Sequence, residues 1–112
     1  MLSASFPVLI AWSVAAVFAV AALANLAGPR VLRDAYARWG YSRGFHLTAG
    51  VIEATAALFL TAPQTRIWGV AVAAVVLFLA VVTLLNHRQY LYAVPGIVLL
   101  AALPPTLLAA AV

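Results

Sequence analysis

Residues 45–62 read FHLTAGVIEATAALFLTA, and how this stretch is read decides the fold. Bounded by Gly44 and Pro63, it is apolar apart from His46, Glu53 and scattered threonines. At a rise of 1.5 Å per residue, such a stretch covers nearly all of the roughly 30 Å hydrocarbon core of a bilayer. Further apolar stretches lie on either side of it, at about 6–28, 65–86 and 91–112. As a result 68% of the chain is hydrophobic and 7% charged, with a mean hydropathy of +1.16, whereas a soluble domain is roughly half apolar. The fold class implied is all-α integral membrane, with residues 1–112 forming a single membrane domain. Connections at about 63–64 and 87–90 are short, so neighbouring spans run antiparallel. The expected architecture is an antiparallel four-transmembrane-helix bundle.

Between the first two spans, at about 29–40, the pattern changes. Val31, Leu32, Ala35, Tyr36 and Trp39 recur at helical spacing, while Arg30, Arg33, Asp34 and Arg38 occupy the other face. This predicts a short amphipathic interfacial helix between helices 1 and 2, lying on the bilayer surface. Trp39 and Tyr41 suit the headgroup level, and Gly40 and Gly44 turn the chain into the second span. The segment reads either as an anchored connector or as a lid over a membrane-facing pocket. In the last span, Pro95-Gly96 and Pro104-Pro105 predict two bends or breaks, serving either packing or a ligand.

The charged residues are six arginines and two acids, giving a net charge of +4. The arginines sit singly at span edges and form no run, which points to a lipid bilayer as the partner and to no nucleic acid. Arg30, Arg33, Arg38, Arg43 and Arg88 fall in the first and third loops and Arg66 on the opposite side, so the positive-inside rule places loops 1 and 3 in the cytoplasm. No cysteine is present, which excludes an internal disulfide, a thiol relay and thiolate-held metal. Two histidines and one distant carboxyl fall short of a ligand set, so no metal site is expected. Phosphate loops, nucleophile motifs and paired carboxylates are also missing, and whether the chain is an enzyme is left open.

Glu53 is the one acid inside the spans and the candidate catalytic residue. His46, Gly50 and Glu53 are spaced i, i+4 and i+7 and share one helix face, with Glu53 roughly 10–12 Å deeper than His46. A charge near the bilayer centre costs roughly 2.5 to 3.5 kcal/mol, so a neutral carboxyl that donates one hydrogen bond is expected there unless a partner or water reaches it. Two readings stand open: ligand contact with proton handling, or an interhelical hydrogen bond to Thr83 or Asn25. Antiparallel geometry gathers further polar groups at the same end of the bundle. The candidate ligand-binding residues are His46, Asn86, His87, Tyr90, Asn25, Thr83 and Trp39.

The run from Ala35 to Tyr41, followed by Phe45, Gly50, Glu53 and Ala57-Leu58-Phe59-Leu60, resembles the DoxX-like family of small four-helix bacterial membrane proteins. The resemblance covers about residues 8–105. Gly40, Gly50 and Glu53 fall on family positions, and Asn86-His87 on the polar end of the third span. Thr55-Ala56-Ala57 departs from the pattern, where the family commonly has another glycine after the glutamate. The resemblance implies a bacterial plasma-membrane protein concerned with membrane redox. Some relatives are small subunits of quinone-linked oxidoreductases, including a thiosulfate-oxidising complex, and others belong to oxidative-stress assemblies.

One reading is therefore a quinone or similar lipophile held near the interface. His46 and Asn86 or His87 would bond its carbonyl, Tyr90 or Trp39 would pack on its ring, and Glu53 would hold a proton. No other cofactor is suggested. The alternative is a non-catalytic membrane scaffold that recruits a protein partner, or assembles as a homo-oligomer, through small-residue helix faces at Ala15, Ala22, Gly50 and Ala54.

Overall fold

The computed structural model describes residues 2–111, with side chains from Phe6 to Leu107; Met1 and Val112, the two ends of the expected domain, lie outside the described residues. The described chain is all-helical: α1 Leu2–Ala27, α2 Arg30–Arg38, α3 Phe45–Thr61, α4 Arg66–Asn86 and α5 Tyr90–Ala111. Their limits have local causes. Gly28, at φ +63°, ends α1 in the left-handed conformation that a side chain disfavours, and Pro29 then stands at the N-cap of α2. Helices α1, α4 and α5 are long and apolar enough to cross a membrane; α3 is apolar and 17 residues long.

Helix α1 starts at Leu2 and contains Pro7, and the apolar span within it is Phe6–Ala27. One expectation is revised in part: α5 is not broken at Pro95 or at Pro104-Pro105 but runs on through all three. Each proline removes one ladder bond, and the flanking turns together with packing against α1 and α4 carry the helix past the gaps. Thr106, fully buried just beyond the proline pair, returns its hydroxyl to the Ala102 carbonyl at 3.0 Å.

Helix α1 packs on α3 and α5, and α4 packs on the same two, so the long helices form a ring, with α2 set against α3. On α1 the buried positions are Pro7, Ala11, Val14, Ala15, Phe18, Ala22 and Asn25, a stripe mostly at three- and four-residue steps. It meets Gly50, Ala56, Ala57 and Leu60 of α3. The approach is tight at Gly50, where an added Cβ would lie 2.8 Å from the Leu26 side chain and 3.2 Å from the Ala22 carbonyl oxygen. Ala56 and Ala57 are buried without needing a glycine between them and Glu53. The outward surface carries Leu9, Leu23, Leu58, Ile67, Trp68 and Phe78, all more than half exposed. Such a shell belongs in lipid, and the chain is a membrane protein.

At the α3–α4 turn the two helices close tightly. A Cβ on Gly69 would lie 2.9 Å from the backbone nitrogen of Leu60. The last four carbonyls of α3, which no helix can satisfy internally, all find donors. Thr61 Oγ1 bonds Leu58 at 2.7 Å, Thr65 Oγ1 bonds Phe59 at 2.8 Å, and Arg66 reaches Leu60 through Nε at 2.8 Å and Thr61 through Nη2 at 3.4 Å. Arg66 is only 3% exposed, so beyond its place in the charge distribution it serves as a buried cap.

Candidate functional site

The opposite end is built differently. Asn25 closes the buried stripe of α1, and its Nδ2 donates both to the Ala21 carbonyl at 3.1 Å and to Oε1 of Glu53 on α3. The Tyr36 hydroxyl of α2 donates to Asn25 Oδ1 at 2.8 Å. A relay of donors therefore runs from Tyr36 through Asn25 to Glu53 and joins α2, α1 and α3. Of the two partners considered for Glu53, Asn25 is the one that bonds it. Burial foremost, and then repulsion from a Glu53 carboxylate, push the Tyr36 hydroxyl above its ordinary value, while its bond to Asn25 pulls it back. Tyr36 thus remains a donor at neutral pH.

Four aromatic rings gather beside this network. Tyr36 stands edge-on to Trp39, Tyr41 and Phe45, with centroids 5.5 to 5.7 Å apart, and Tyr41 stacks on Phe45 at 4.5 Å. Two bonds fasten this roof to α4 and the turn that follows it: Trp39 Nε1 donates to Gln89 Oε1 at 3.1 Å, and the Tyr41 hydroxyl pairs with Thr83 Oγ1. Beneath the roof lies a cleft of about 670 Å³ between α3 and α4. Its walls include Ala49 and Ile52 of α3 and Val72, Val76 and Leu79 of α4, with Glu53 and Thr83 as the polar members below the tyrosines. The shape is that of an apolar slot with a few hydrogen-bonding groups towards one end, which suits a lipophile with a polar ring.

The positions singled out in the sequence divide between this cleft and its surroundings. Glu53, Thr83 and Trp39 line it, and Asn25 stands directly behind Glu53. His46 does share a face with Gly50 and Glu53, since all three turn towards α1. Its ring, however, lies against Gly28, where an added Cβ would come 2.7 Å from Nε2, and it does not line the cleft. Asn86, His87 and Tyr90 are exposed and also stand outside it. His87 donates through Nδ1 to the Thr83 carbonyl at 2.8 Å and so finishes α4. Tyr36, Tyr41 and Gln89 are members of the site that the sequence reading did not nominate as ligand-binding. For Tyr36 the signal was present in its i, i+3 spacing to Trp39 on the apolar face of α2.

No curated protein and no solved structure matches the chain. The sequence model of the DoxX-like family, in contrast, matches residues 9–111, which takes in most of α1, all of α2 to α5 and every residue of the cleft. The chain belongs to the DoxX-like family.

Proposed function

We propose that this chain crosses a bacterial plasma membrane four times, with α2 at the interface and loops 1 and 3 in the cytoplasm, and holds a quinone or similar lipophile in the α3–α4 cleft as a subunit of a quinone-linked oxidoreductase system. Helix α3, about 25 Å long, falls at the short end of the crossing range, and the arginine distribution supports the orientation. The observation that carries the ligand reading is the position of Glu53. It is fixed from behind by Asn25 and at the same time forms part of the wall of a largely apolar slot.

A quinone supplies two-electron, two-proton chemistry when bound, with electrons from a partner subunit. This chain's own residues bind, orient and protonate. The Thr83–Tyr41 pair offers one free hydroxyl to a ring carbonyl, the aromatic roof keeps water from the slot, and Glu53 holds a proton at its carboxyl, backed by a neutral amide that cannot take that proton away. Mass spectrometry of the lipid-soluble extract from gently purified protein tests this. A stoichiometric quinone is expected from the natural chain, falling about tenfold, or about 1.4 kcal/mol, in Glu53→Gln. Equal retention in both, or none in either, would overturn it.

The Asn25–Glu53 bond itself favours a second reading, in which the pair is a structural cross-link in a non-catalytic scaffold for a protein partner or a second copy. Under that reading Glu53→Gln lowers Tm while neither protein carries a small molecule.

A further inference from the structure

We infer that a second pocket at the α2 end of the molecule binds the phosphate of an anionic phospholipid headgroup. This pocket, of about 640 Å³, is lined by Arg33, Arg43, His46 and Ser42 and shares Tyr36 and Tyr41 with the apolar cleft. No acidic side chain lines it. Arg33 comes from α2 and Arg43 from the turn before α3, brought to one pocket by left-handed glycines at Gly40, φ +87°, and Gly44, φ +83°. Two arginines lining one space match a phosphate, which accepts paired N–H donors, and the Ser42 hydroxyl adds a neutral donor.

Charge alone would suit inorganic phosphate equally well. The surroundings favour a lipid: the pocket shares Tyr36 and Tyr41 with the apolar cleft, and Leu47, next to His46 on α3, is 48% exposed on a surface made for hydrocarbon. A zwitterionic headgroup would bring its own cation next to Arg33 and Arg43, whereas phosphatidylglycerol brings none. The inference is independent of the quinone reading, since its ligand and its charged residues are different.

Native mass spectrometry of the detergent-purified chain, offered equal amounts of phosphatidylglycerol and phosphatidylcholine, tests it. One phosphatidylglycerol per chain is expected to persist, with a preference of about tenfold or more. The double variant Arg33→Gln/Arg43→Gln should lose that preference; both side chains are exposed, so folding should be unaffected. Arg30→Gln/Arg88→Gln, the same charge removed elsewhere, should keep it, as should Glu53→Gln, whose effect belongs to the other cleft. Equal binding of the two lipids, or equal loss in both double variants, would overturn the site. Displacement of the lipid by millimolar inorganic phosphate would also overturn it, by assigning the pocket to free phosphate.

Discussion

Helices α3 and α4 are similar in composition along their length, yet their two ends behave in opposite ways. Near Pro63 the backbones close on Gly69, and every terminal carbonyl of α3 is capped by Thr61, Thr65 or Arg66. Near Phe45 the helices leave a cleft of about 670 Å³, roofed by aromatics and fastened by side-chain bonds such as Trp39–Gln89 and Tyr41–Thr83. The closed end satisfies backbone, which lipid cannot do, while the open end spends its polar groups on side-chain bonds around a space. Small residues and caps make a seam; large rings and hydroxyls make a site.

The sharpest way to break this contrast is Arg66→Met, which keeps the length and apolar stem but leaves the Leu60 and Thr61 carbonyls without their donor. A loss of about 3 kcal/mol is expected, at the usual cost of orphaned buried acceptors. It would be read as a lowered Tm in mild detergent, and an unchanged Tm would mean the closed end is not held by its caps. Next comes Gly69→Ala, whose new methyl meets the Leu60 backbone nitrogen at 2.9 Å and should cost about 2 kcal/mol through overpacking. At the open end the same measurements should move less. Thr83→Val removes one hydroxyl partner of Tyr41 and should cost about 1 kcal/mol, but it should reduce retained lipophile more than either closed-end variant does. If Arg66→Met, once folded, lost ligand to the same extent, the two ends would not be separate devices.

Much of this plan is written in the order of apolar and turn-forming residues. The helix limits follow from Gly28-Pro29, Gly44 and Pro63, and antiparallel adjacency suffices to bring Asn25 near Glu53. The azimuth of groups at helix ends is not written there. His46, Asn86, His87 and Tyr90 share a level with the cleft but not its direction, because one residue of helix rotates a side chain by about 100°. Arg66 was legible as a charge on the far side and not as a cap, since its acceptors depend on how sharply α3 ends. The prolines of α5 do not break it for a related reason: local geometry forbids three backbone bonds, and packing against two neighbours outweighs that loss.

The smallest expected effect probes how far the relay at the open end extends. Tyr36 lies outside the spans, and burial, followed by repulsion from Glu53, raises its hydroxyl above the ordinary tyrosine value. A group whose folded value is raised holds its proton more tightly in the folded chain. Its contribution is fully present below the unfolded value of about 10 and is lost as pH climbs through the folded one. Tm should therefore be flat to about pH 9 and fall above about pH 10. Tyr36→Phe removes the donor to Asn25 and should cost about 1 kcal/mol or less at neutral pH, while making the alkaline fall shallower. The other tyrosines are common to both proteins, so the difference between the two curves isolates Tyr36. Parallel curves would mean that Tyr36 does not hold its proton for Asn25. The network would then end at the Asn25–Glu53 pair, and α2 would be fastened to the bundle by its rings and Trp39 alone.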